Sequence, residues 1–82
     1  MKTPPGKAWR AKDGLHVDTR GLAPPDPMVA ILWHVENSDG PIIAHMDRDP
    51  VHLYPELAER GWRAELLEVR PGDTCLVLRP SR

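Results

Sequence analysis

Cys75 is the only thiol in the chain, so any sulfur or redox chemistry would have to run through it. Its neighbours Leu76, Val77 and Leu78 place it inside an apolar strand, where a cysteine packs as a small hydrophobe and its thiol stays protonated. A relay of sulfur through Cys75 requires an exposed, rapidly reacting thiol. A lone cysteine makes no internal disulfide, which fits a reducing, cytoplasmic setting. The four histidines, His16, His34, His45 and His52, show neither the i, i+4 spacing of a zinc-binding helix nor a Cys-x-x-Cys partner. His45 ends a strand and His52 follows the next loop. Together with Asp47 they would offer three N/O ligands at the carboxyl end of that strand, a position that often holds ligands in α/β folds. The plainer reading is two ordinary half-buried histidines. His16 and His34 carry no special signal.

Arg20, Arg48 and Tyr54 are the side chains best suited to contact a partner. Arginine binds carboxylate or phosphate in a two-pronged manner; salt bridges to Asp18, Asp47 or Asp49 are the competing use of both. Trp33 and Val29, at i and i+4, either form an exposed apolar patch or flank the core. No serine sits in a nucleophile motif, no glycine-rich loop could cradle phosphate, and no carboxylate pair is visibly apolar. The expectation is a protein without catalytic residues or a resident cofactor.

These residues must be positioned by a small body. A chain of 82 residues makes one domain with a thin core. No apolar run approaches the roughly 20 residues of a membrane span, and Lys2 and Lys7 are not followed by the apolar segment of a signal peptide. The formal charge is −1. Residues 1–13 carry a net +3 and residues 79–82 a net +2, which leaves −6 for the middle. An acidic body matches nucleic acid poorly and suits a protein partner, basic ones included.

Residues 1–13, with Pro4, Pro5 and Gly6, read as a flexible basic arm. The domain proper is expected over 14–79, with 80–82 as a tail. Leu15, Val17 and Thr19 alternate with His16 and Asp18 in a first strand. Asp26 is placed to cap a helix whose first turn holds Pro27; Met28, Ile31, Leu32 and Val35 then form its apolar stripe. Ile42-Ile43-Ala44 reads as a strand buried on both faces. A second helix is expected from about Tyr54, with Pro55 in its first turn, Leu57 and Ala58 facing the sheet, and Gly61 closing it. Trp62 to Leu66 and Cys75 to Leu78 would be strands of a terminal hairpin around Pro71-Gly72. The sum is an α/β (α+β) two-layer sandwich of order β-α-β-α-β-β: a four-stranded mixed sheet with two helices on one face.

The run Arg20-Gly21-Leu22-Ala23-Pro24-Pro25-Asp26-Pro27 resembles the start of the TusA/SirA sulfur-carrier family, in which a Gly-Leu pair precedes Cys-Pro-x-Pro at the first helix. Pro24 stands at the position of that family's cysteine. The chain is still more similar to an uncharacterised bacterial family related to TusA. That likeness adds Asp47-Arg48-Asp49-Pro50, Leu53-Tyr54-Pro55-Glu56-Leu57 and Glu59-Arg60-Gly61, and extends over about residues 15–78. It implies the TusA-like sandwich, and members that occur beside hemerythrin-like and cupin-like metal-binding domains. Without a cysteine at Pro24, the carrier mechanism is not implied. The expected function is a binding or adaptor module. Its surface would be the Arg20–Pro27 connector, with Arg20, Pro24 and Asp26, and the Asp47–Tyr54 loop, with Asp47, Arg48, His52 and Tyr54.

Overall fold

The computed structural model describes residues 3–81. Its elements run β1 (Lys7–Ala11), β2 (Gly14–Asp18), α1 (Asp26–Glu36), β3 (Ile42–Met46), α2 (Leu53–Glu59), β4 (Trp62–Arg70) and β5 (Asp73–Pro80). The sheet has five strands in the order β1-β2-β3-β5-β4. β2 and β3 are parallel, and every other neighbouring pair is antiparallel.

Period-two alternation explains the layers. Leu15 and Val17 of β2, Ile42, Ala44 and Met46 of β3, and Leu76 and Leu78 of β5 lie on one face; Trp62 and the half-buried Ala64 of β4 join them. Ile31 and Val35 of α1 and Leu53 and Leu57 of α2 complete the same core, so both helices cover that face. β3 is buried on both faces through Ile42, Ile43 and Ala44, as its unbroken apolar run requires.

The expected four-stranded sheet gains a fifth strand from the segment expected to be a flexible arm. Lys7–Ala11 pairs with β2 from Lys7↔Asp18 to Ala11↔Gly14. The cause is the edge of β2: its backbone groups would otherwise lack partners, and the tight Lys12-Asp13 turn brings β1 back onto it. Gly14 has φ +135° and lies against Pro41; a Cβ there would meet the Pro41 carbonyl oxygen at 2.6 Å. Only glycine fits that approach.

The helix boundaries also differ. Pro25, not Asp26, is the N-cap of α1, and no side chain caps it. The Asp26 N–H is already bound to the Ala23 carbonyl at 3.0 Å, and Val29 N–H reaches the Pro25 carbonyl at 3.0 Å, so the helix begins with Asp26 inside its first turn. Helix α2 starts at Leu53, with Pro55 within its first turn, where the missing N–H costs nothing. Leu53 takes the buried place expected of Ala58, which is exposed. Gly61 follows α2 with φ +73°, the left-handed turn that ends a helix. β4 and β5 are longer than the hydrophobic pattern alone suggests, with an irregular register between Leu66 and Glu68.

Candidate functional site

The carboxyl ends of the parallel strands β2 and β3 point to the same end of the sheet, and both helices begin there. Between them lies a cleft of about 420 Å³. One wall is the connector into α1, with Pro24, Pro25, Pro27 and Met28. The other is the β3–α2 loop, with Pro50, Val51, His52 and Leu53; Met46 also lines it, and Asp47, Arg48 and Asp49 complete it. Proline explains the rigid connector wall: its fixed φ holds the segment without spending backbone hydrogen bonds. Met28 and Met46 give an adaptable apolar surface.

Two acidic side chains hold the walls in place. Asp47 Oδ2 accepts the Gly21 N–H at 2.9 Å, tying the connector to the loop. Asp49 Oδ1 accepts the Tyr54 hydroxyl at 2.6 Å. Burial and this bond push the Tyr54 phenol up to about 12. Arg20 is engaged as well: Nε and Nη2 both donate to Asp18, at 2.9 and 3.0 Å, and Asp73 lies 3.5 Å from Nη1. The Asp18 carboxyl is held below its ordinary range by this guanidinium. Asp73 Oδ1 is buried with no hydrogen-bond partner among the described residues.

Of the residues expected to form the contact surface, Pro24, Asp47, Arg48 and His52 line the cleft; Arg20, Asp26 and Tyr54 do not. Asp47 also ties the two walls together, and Tyr54 braces the loop through Asp49. Arg48 is exposed and makes no ion pair among the described residues. Pro25, Pro27, Pro50, Val51 and Leu53 lie within the two segments expected to form the surface, whereas Met28 and Met46 lie just outside them.

The histidines fall differently from the expected His45–His52 pair. His52 lines the cleft, whereas the His45 side chain lies on the opposite, helix-free face of the sheet. There His16 Nδ1 is 2.9 Å from His45 Nε2, and Trp9 of β1 lies nearly parallel to both rings, with centroids 5.2 and 5.9 Å away. Alternation along β3 is the reason: Ala44 and Met46 face the helices, so His45 cannot. No group of three or more His, Cys, Asp or Glu side chains suited to a metal occurs among the described residues. The Asp13-Gly14 pair signals a hairpin in the sequence, but a turn on those two residues would set Trp9 opposite Asp18; the observed Lys12-Asp13 turn sets it opposite His16.

Cys75 pairs with His45 across β3 and β5 and is only partly exposed. Burial pushes its thiol up, and the charges of Asp73 and Glu68 push it further. A thiol held protonated is a poor nucleophile. On α1, Val29 and Trp33 are both exposed, and the Trp33 ring meets His34 edge-on at 5.0 Å.

The fold and cleft define a small two-layer domain whose open end presents an apolar groove braced by aspartates. The chain belongs to the family described as an uncharacterized conserved protein (DUF2249), whose model matches residues 16–79. No curated protein and no solved structure gives a significant match. None of the described helices is long and apolar enough to cross a membrane.

Proposed function

We propose that this domain is a non-catalytic binding module, an adaptor that takes apolar side chains of a partner protein into the cleft between the Pro24–Met28 connector and the Asp47–Leu53 loop. The observation that carries the reading is the cleft itself: about 420 Å³ of space walled by prolines, methionines, Val51 and Leu53 at the carboxyl end of β2 and β3. Apolar lining with a few polar groups at the rim suits burial of one or two side chains of a peptide segment. Asp47 and Asp49 spend hydrogen-bonding capacity on bracing the walls, so the preformed shape lowers the ordering cost of binding. Arg48 is left at the rim to meet a carboxylate.

The reading includes descent in shape from TusA-like sulfur carriers, with the transfer chemistry lost because Pro24 has no thiol. The raised pKa of the Cys75 thiol argues against a relay through that residue. The placement of His45 and His52 on different faces argues against a joint metal site.

The test is a phage-displayed random peptide library panned on the full chain, with Val51→Asp and Arg48→Glu variants as counter-targets. Convergence on an apolar motif is expected, with binding weakened at least roughly tenfold by Val51→Asp and amide shifts at Met28, Met46 and Val51. Absence of any enriched motif, or peptides that bind the variants equally, would sink the proposal.

A further inference from the structure

Two strands border the sheet, β1 and β4, and their outer edges differ in charge. β1 carries Lys7 and Arg10, with Lys12 just beyond, and no acidic residue. Two copies laid along that edge would bring like charges together, a common guard against unwanted pairing. β4 carries Arg63, Glu65, Glu68 and Arg70, a net charge of zero. Its far half exposes three aliphatics, Leu66, Leu67 and Val69, at 52, 58 and 64%, beside the ion-paired Glu68 and Arg70, while the near end is buried at Trp62. A nine-residue edge strand with exposed aliphatics and no excess of one charge is a template for another strand.

We propose that a second copy of this chain pairs with it antiparallel along β4, from Glu65 to Arg70, about a two-fold axis between Leu67 and Glu68. The faces agree with that register. Leu66 and Val69 lie opposite Leu76 and Thr74, both buried on the helix-covered face, whereas Glu65 and Arg70 lie opposite Val77 and Asp73 on the other face. Pairing about this axis sets Leu66 against Val69 and Glu65 against Arg70, each twice by symmetry. Charge excludes the nearest competitor. Shifting the sum of paired residue numbers down by two sets Glu65 against Glu68 and Arg63 against Arg70, like against like. A further shift pairs Arg63 with Glu68, but it sets Leu66 against Glu65. The irregular register at Leu66–Glu68 falls on the proposed axis, so the rungs on either side stay in step.

Six residues from each strand bury less than the roughly 1,200 Å² of a standard interface, so the dimer is a weak one. The experiment is sedimentation velocity of the full chain from about 10 µM to about 1 mM, the range in which such an interface assembles. The wild-type chain should pass from monomer to dimer across this range. Val69→Lys should weaken association at least roughly tenfold, as should Glu65→Arg or Arg70→Glu alone, and the double exchange E65R/R70E should recover it. Circular dichroism confirms that each variant is folded, which the exposure of these positions favours. A chain still monomeric at about 1 mM overturns the proposal. So does a dimer indifferent to Val69→Lys, a double exchange that stays monomeric while folded, or a dimer that responds only to exchange of Arg63 and Glu68.

Discussion

The Nδ1 atom of His16 lies 2.9 Å from Nε2 of His45, across the parallel strands β2 and β3. The other nitrogen of His16 is 2.7 Å from Asp13 Oδ1. An ionised carboxylate only accepts, so His16 Nε2 carries a proton; with a neutral His16, Nδ1 then accepts from His45 Nε2–H. The chain Asp13–His16–His45 ends under Trp9, the residue that joins β1 to this face.

That arrangement predicts a pH-dependent stability. Burial, and then the nearby His16, lowers the His45 pKa from its ordinary 6.5, so the unfolded chain binds more protons than the folded one in the window just below 6.5. Stability therefore falls as pH falls through that window. Burial lowers His34 in the same sense. Urea unfolding between about pH 5 and about pH 8 should show this slope, and it should shrink in His45→Gln and shrink further with His34→Gln. The lowered Asp13 and Asp18 carboxyls act separately. Their stabilisation is present above 3.8 and is lost only below it, as pH falls through their folded pKa values. A stability flat from about pH 8 to about pH 5 would contradict the His45 placement.

Trp9 should contribute to folding although it is 45% exposed. Trp9→Ala removes its near-parallel contacts with both imidazoles, and a loss of about 1 kcal/mol in the urea midpoint analysis is expected. No change would mean that the Trp9 ring adds nothing to the stability of the body.

Gly14→Ala should be much more damaging than Gly61→Ala. A Cβ at position 14 meets backbone at 2.6 Å, whereas at position 61 nothing lies within 4 Å and only the left-handed φ is strained. The expected losses are about 3 kcal/mol or more at Gly14 and about 1 kcal/mol at Gly61, read from thermal or urea unfolding.

Asp47→Ala removes the acceptor of the Gly21 N–H and should cost about 1 kcal/mol. It should also broaden the amide signals of the connector, since that bond ties the two walls of the cleft together. A variant as stable and as sharply resolved as wild type would show that the proline-rich connector holds itself.

Cys75 should label slowly. Its thiol is raised by burial and by Asp73 and Glu68, so reaction with an aromatic disulfide near neutral pH should run well below the rate of the urea-unfolded chain. Equal rates in both states would reopen a role for this thiol.

The body was readable in the sequence where the signal is local. The alternation around Val17, the Pro27–Val35 helix, the doubly apolar β3 and the Pro71-Gly72 hairpin all rest on contacts within a few residues, which period and turn chemistry encode. Asp26 misled as a cap because the helix starts one residue earlier: the Val29 N–H already bonds to the Pro25 carbonyl, which puts Asp26 inside the first turn and Pro25 at the cap position. Residues 7–11 misled because their proline-flanked, charged composition is that of a loop; they become a strand only by borrowing the edge of β2. The candidate site was legible in part, since the segments 20–27 and 47–54 do converge through Pro24, Asp47, Arg48 and His52, while Met28 and Met46 joined them without a motif of their own.

By itself, the sequence determined the helices, the central strands and the two motif-bearing segments, because propensity, periodicity and turn residues act over short range. The tertiary structure alone decided that β5 enters between β3 and β4, that β1 closes the other edge, and that His45 meets His16 rather than His52. Those outcomes depend on which strand edges find partners and on which face each alternate side chain is left to occupy, and both are set only when distant segments pack together.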